Sequence, residues 1–307
     1  MSASTTRLKL MTYNIGGGRD DDNLTQQGEF DQALANIAGV IYNEAPDVLV
    51  LQEAVEWVDE NQVRHNTAAE IARVLGYMEG FCYGPTLSLQ QNFHSGKAIF
   101  VRSVFNDWED FRQGNALLSR WNFVRLGDPA QSGVPRNLPI FRPAQYEGNR
   151  DTDPRHALLG RVNCGVVSPF IIGTHLSTLR GERGSGQDPD KVRLAEEMRL
   201  TQIYRLLDLV RERLLERNEL VFLLGDFNAQ ANDLCLAEVL VGEAGFQRLV
   251  PQNDTTRTHL FKVDKPIDHI FIYPANRLVE AHCRIVDTEL AHNASDHLPV
   301  VAEVTVV

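Results

Sequence analysis

The residues of this 307-residue chain best suited to chemistry stand where apolar runs end. Leu8–Tyr13 runs into Asn14, Val48–Gln52 into Glu53, Phe170–Thr174 into His175, and Val221–Gly225 into Asp226, with Asn228 two residues on. Ile267 precedes Asp268, and Ser295-Asp296-His297 leads into the last apolar run. Singly, each has an ordinary explanation. Asn14 before Gly16-Gly17-Gly18 suits a turn, Gly225-Asp226-Phe227-Asn228 suits an Asx turn, and Asp296 suits a local cap. Glu53 suits solvent, and His175 suits a structural hydrogen bond. Together they supply carboxylates for a hard cation, amides beside two of them, and two histidines with an aspartate to spare.

Such residues act together only if the strands that carry them share an edge. Strand-like runs cover Leu8–Asn14, Asp47–Glu53, Ala116–Ser119, Ala157–Cys164, Phe170–His175, Leu220–Asp226, Ile267–Tyr273 and Leu298–Val306. Several are continuously apolar, as in Val48-Leu49-Val50-Leu51, which predicts strands covered on both faces. Phe30–Asn43 has Phe30, Leu34, Ile37, Ile41 and Tyr42 at helical spacing. Asp188-Pro189 caps and opens a second helix reaching Arg217, with Leu194, Met198, Leu206, Val210 and Leu214 expected inward. Two stretches, Gly127–Pro154 and Arg180–Gln187, read as loops rich in Gly and Arg, the first also rich in Pro and Asn. The first is long for a passive connection, which points to a functional role.

At 43% hydrophobic residues the chain can bury a large core, and nothing divides it, so one domain over 1–307 is expected. No apolar run is long enough to span a bilayer, and Met1–Lys9 lacks a signal-like apolar core, so a cytoplasmic location is expected. Cys82, Cys164, Cys235 and Cys283 are scattered without a CxxC pair, which predicts reduced thiols and no zinc site. A net charge of −11 argues against a broad basic platform for nucleic acid. It does not argue against an enzyme that recruits cations, because a bound metal locally reverses the field.

Seven short motifs, in order, give the chain a family likeness. They are Thr12-Tyr13-Asn14-Ile15, Leu51-Gln52-Glu53, Gly114-Asn115-Ala116 continuing to Arg120, Thr174-His175-Leu176, Gly225-Asp226-Phe227-Asn228, Ile267-Asp268-His269-Ile270-Phe271 and Ser295-Asp296-His297-Leu298-Pro299-Val300. This series resembles the endonuclease/exonuclease/phosphatase superfamily over almost the whole chain. The resemblance implies an α/β four-layer sandwich, two mixed β-sheets packed face to face with helices outside. It also implies a metal-dependent phosphoesterase using Mg2+ (Mn2+ as an alternative), whose substrate is a phosphodiester, DNA and RNA included.

On the same resemblance, Glu53 is the main metal ligand, Asn14 supports it, and Asp296 is a further carboxylate near the metal. Asp226 and Asn228 orient or deprotonate the attacking water and bond the phosphoryl oxygen. His297 faces the phosphate, held by Asp268, leaving either His297 or Asp226 as the base. His175 matches the deoxyribonuclease-I-like and sphingomyelinase-like branches. Asn115 and Arg155 match substrate-side positions, while Arg199 and Gln202 match a paired position read as structural. A phospholipid or inositol phosphate substrate is the alternative, and a catalytically inactive binding protein is the least favoured reading. A lipid substrate calls for a projecting apolar hairpin, and Trp57, Trp108 and Trp121 are expected in the core or at edges. A polyanion calls for arginines near the cleft, and Arg136, Arg142, Arg150, Arg180 and Arg183 lie in the two loops.

Overall fold

Side-chain alternation sets the layering in the computed structural model, which describes residues 4–18, 27–58, 61–88, 112–144, 150–184, 186–261 and 263–307. One sheet contains β1 (Thr6–Asn14), β2 (Val48–Val58), β3 (Arg64–Asn66), β4 (Gly80–Ser88), β5 (Arg112–Ser119), β14 (Leu278–Ile285) and β15 (Val300–Val306). The other contains β8 (Arg136–Phe141), β9 (Arg155–Arg161), β10 (Phe170–His175), β11 (Val221–Asp226), β12 (Gln247–Arg248) and β13 (Asp268–Tyr273). A small ribbon pairs β6 (Val124–Arg125) with β7 (Asp128–Ser132). Along β11, Phe222 and Leu224 join the core between the sheets, whereas Val221 and Leu223 join a second core under an outer helix. Burial on both faces explains the unbroken apolar run read in the sequence.

Helices α1 (Gln27–Glu44) and α2 (Thr67–Leu75) contribute Ile37, Ile41, Ala68 and Ile71 to the core of the first sheet. Helix α3 (Pro189–Val210) sets Ile203, Leu206, Leu207 and Val210 on the second. The architecture is two mixed sheets packed face to face with helices outside. Gly173 marks the closest approach at the centre, since a Cβ there would lie 2.5 Å from Val50 Cγ1.

Several expectations change. Gly127–Pro154 is not all loop, because it holds β7 and the edge strand β8, where Pro139 is tolerated at an irregularity in the pairing with β9. Tyr42 is exposed, since Ile37, Val40 and Ile41 take the inward face of α1. In α3 the buried stripe runs Ala195, Arg199, Gln202, Leu206, leaving Leu194 exposed. The helix is turned that way because Arg199 and Gln202 have partners inside, Arg199 on Glu182 at 2.6 Å and Gln202 on Ser177 Oγ at 2.7 Å. Asp188 does cap α3 on Asp190 N, with Pro189 in the first turn. Trp57 is buried and Trp121 half-buried, while Trp108 lies outside the described residues. All four cysteines are free, but only Cys235 and Cys283 are buried.

Candidate active site

Strand direction brings the chemistry to one edge. β1 and β2 run parallel, with Asn14 opposite Gln52, and β10 and β11 run parallel, with His175 opposite Asp226. β13 and β15 are antiparallel to their neighbours, so their first residues arrive at the same end, Asp268 opposite Asp226 and Val300 opposite Thr12. β9 also begins there, at Arg155.

Glu53 reaches the site through a bulge. The pairing of β2 with β5 shifts between Leu51 and Ala54, and Glu53 has a φ of 57°, a conformation costly for a side chain with a Cβ. The irregularity re-aims its carboxylate, which accepts from Asn14 Nδ2 at 3.4 Å and Gln113 Nε2 at 3.1 Å. Asn14 bonds in two directions. Its Oδ1 accepts from Gly16 N at 3.1 Å, closing the turn, and its Nδ2 also donates to Asp226 Oδ2 at 3.1 Å. Ser295 Oγ donates to the Asn14 carbonyl at 2.8 Å and accepts from His297 N at 3.2 Å, tying β1 to the segment before β15.

Asp226 is the hub. Besides Asn14 it accepts from Asn228 N, at 2.8 Å on Oδ1. Two imidazoles face its Oδ2, His175 Nε2 at 3.4 Å and His297 Nε2 at 3.8 Å. His297 Nδ1 sits 2.9 Å from Asp268 Oδ2, which fixes the ring with Nε2 toward Asp226. The two rings differ in charge. Burial, with Arg155 adding to it, lowers the His175 pKa to about 4 and outweighs the pull of Asp226 and Glu53. Burial opposes charge on His297 as well, but Asp268 and Asp226 overcome it and raise its pKa to about 10. Near neutral pH one ring is neutral and the other an imidazolium.

The remaining predicted residues lie around this centre. Asn115 is buried and donates to the His156 carbonyl at 3.2 Å. Arg155 is buried, 3.8 Å from Asp153, and its Nε has no hydrogen-bond partner among the described residues. Asp296 is partly exposed and groups with His259 and His297, its carboxylate 4.0 Å from His259 Nε2. Glu53 is in neither of the close donor trios, His259/Asp296/His297 and Asp226/Asp268/His297. The donor set fits a hard divalent cation. Glu53, Asp226, Asp268 and Asp296 bring more negative charge than His297 offsets, and Asp268 Oδ1 is buried with no hydrogen-bond partner among the described residues. Glu53, supported by Asn14, would hold the ion, which supplies charge neutralisation at the phosphoryl oxygens when bound.

Sequence reading missed three contributors. Gln113 steadies Glu53, His259 packs at a tilt against His297 with ring centroids 4.7 Å apart, and Arg183 grips Asn228. Gln113 and His259 lie in segments with no distinguishing pattern. Arg183 was grouped with the loop arginines as a substrate contact, but it is largely buried and hydrogen-bonded to Asn228.

The family model for the endonuclease/exonuclease/phosphatase family matches residues 11–297, nearly the whole chain. The chain belongs to this family. It is a hydrolase of phosphate ester bonds, and the family is generally dependent on divalent metal. Among solved structures it is similar to an endonuclease/exonuclease/phosphatase from Beutenbergia cavernae, with TM-score 0.68 and 23% identity, covering 98% of this chain and 72% of that one. It is also similar to a family member from Bacteroides thetaiotaomicron, with TM-score 0.64 and 13% identity over 100% and 97% of the two chains. A truncated Caenorhabditis elegans TDP2 matches with TM-score 0.59 and 16% identity over 97% of each chain. At these identities the likeness bears on fold. No curated protein matches the chain.

Proposed function

We propose that the protein is a Mg2+-dependent phosphodiesterase acting on nucleic acid or a nucleotide-like diester. The observation that carries this reading is the convergence of His175 Nε2 and His297 Nε2 on Asp226 Oδ2, at 3.4 and 3.8 Å. A diester presents two non-bridging oxygens, and two imidazoles converging on one carboxylate oxygen suit that arrangement. Asp226, oriented by Asn14 and the Asn228 N–H, takes the proton from the attacking water. We assign the base to Asp226 rather than His297, whose ring, held by Asp268, stabilises the developing charge. The Asn228 side-chain amide donates to one phosphoryl oxygen and neutral His175 to a second. Asn115 and Arg155 line the substrate side, Arg155 as a buried cation beside His175.

A polyanion is favoured over a lipid by the arginines at this edge. Arg142 follows the β8 residue paired with Arg155, and it lies near enough to His156 to help lower that ring's pKa. Arg180 N donates to Asp151 Oδ1 at 2.7 Å, which joins the two arginine-bearing segments, and Arg142, Arg150 and Arg180 are all exposed. Of the tryptophans a lipid-inserting hairpin could use, Trp57 is buried and Trp121 half-buried. Among the described residues, no helix is long and apolar enough to cross a membrane. A turnover panel with Mg2+ across plasmid DNA, single-stranded DNA, RNA, sphingomyelin and inositol phosphates tests the reading. Preference for a lipid or inositol headgroup over every nucleic acid would replace it with the phospholipid or inositol phosphate alternative.

A further inference from the structure

We infer that Arg183 is a positioning residue that acts through Asn228, turning its amide so that the NH2 group faces the reacting phosphoryl oxygen. The inference rests on the role proposed above for Asn228. Arg183 Nη1 donates to Asn228 Oδ1 at 2.8 Å, and Nη2 donates to the Asn228 backbone carbonyl. A guanidinium has no acceptor, so the atom it faces must be the amide oxygen. The NH2 group is thereby sent the other way, to the Leu176 carbonyl at 3.0 Å and to Asp226 Oδ2 at 3.5 Å. That is the oxygen on which His175 and His297 converge.

The backbone needs the same clamp. Asn228 has a φ of 49°, a left-handed conformation that asparagine tolerates but does not prefer, and the second Arg183 bond fixes the carbonyl that this conformation turns outward. Without Arg183 the side chain is held chiefly by its bond to Leu176 and can swing about its torsions. Arg183 is itself anchored. It lies 3.7 Å from Glu182, whose carboxylate is bound by Leu179 N at 2.9 Å and by Arg199 at 2.6 Å. The loop Arg180–Gln187 thus serves the site from behind.

Arg183→Met keeps the apolar stem and removes both donors. With bis-(p-nitrophenyl) phosphate and Mg2+, kcat should fall by about 10- to 100-fold, the range expected when a reacting group is misplaced, with KM little changed. In an Asn228→Ala background the same change should cost less than about twofold, because residues acting as a unit are non-additive. In metal-free protein the Asn228 side-chain amide should give a distinct 15N-labelled NMR pair that collapses toward the free-asparagine position in Arg183→Met. Wild-type kcat in Arg183→Met, equal losses in both backgrounds, or an unmoved Asn228 amide pair would each overturn the inference. Wild-type kcat in Asn228→Ala would instead overturn the role proposed for Asn228, and the NMR result would still judge the clamp.

Discussion

His269 offers a quantitative test of how the site is held. The ring is buried, with Nδ1 accepting from Arg248 Nε at 3.2 Å and Nε2 2.9 Å from the Ala229 carbonyl, so it ties β13 to the segment carrying Asp226 and Asn228. Burial, reinforced by the Arg248 charge, lowers its pKa from 6.5 to about 3. The folded state therefore refuses a proton that the unfolded chain accepts between these values. Stability from this group is complete above 6.5 and is lost as pH falls toward the folded value. Two pH units below the unfolded pKa, near pH 4.5, the loss is roughly 3 kcal/mol at about 1.36 kcal/mol per unit. His269→Gln keeps a donor and an acceptor but cannot titrate. Urea unfolding in EDTA at a series of pH values should show the wild type losing roughly 2 to 3 kcal/mol more than the variant between about pH 7 and 4.5. His175 titrates in both proteins with the same sign, so it cancels in the comparison. Profiles parallel to within about 0.5 kcal/mol, beyond denatured-state error, would refute the reasoning.

Three further outcomes are expected. Glu53→Gln should remove most turnover and weaken Mg2+ binding by calorimetry while leaving the circular dichroism spectrum unchanged; wild-type turnover in excess EDTA would contradict the metal assignment. Asp268→Asn and His297→Ala should each cost about 10²-fold or more in kcat, and the double variant far less than the product. Fully multiplicative losses would mean that the 2.9 Å pair does not act as a unit. Affinity for a polymeric substrate should fall with salt, and Arg142→Ala with Arg180→Ala should flatten that slope by about one unit per arginine. Cleavage of a small chromogenic diester should be spared, and equal losses on both substrates would count against the nucleic-acid reading.

Much of the inner architecture was legible because burial on both faces leaves its mark in runs such as Val221-Phe222-Leu223-Leu224. The strands that escaped, β3, β4, β6, β7, β8, β12 and β14, are short or lie at edges, and β3, β8 and β14 carry exposed charged residues such as Arg64, Arg136 and Glu280, which break the pattern. Helix faces were read from apolar spacing alone, and that failed at Leu194 because the inward side of α3 is partly polar. Arg199 and Gln202 turn inward only because Glu182 and Ser177, some twenty residues earlier, are waiting there. Periodicity carries no information about such a partner.

The site shows the same division. Residues at strand ends were visible because the polar residue interrupts an apolar run, and strand direction then fixes which edge it reaches. Supporting residues carry no such mark. Gln113 bonds Glu53 only because a bulge breaks the pairing of β2 with β5, and His259 meets His297 through an isolated backbone bridge. Asp226 lies between these two kinds of residue. Its place at the end of β11 is written in the sequence, but its ability to take a proton depends on Asn14, from the opposite sheet, and on Asn228, held by Arg183. Function at this edge therefore depends on two sheets packing in one register, and a shift between them would separate Asn14 from Asp226 while leaving every strand intact.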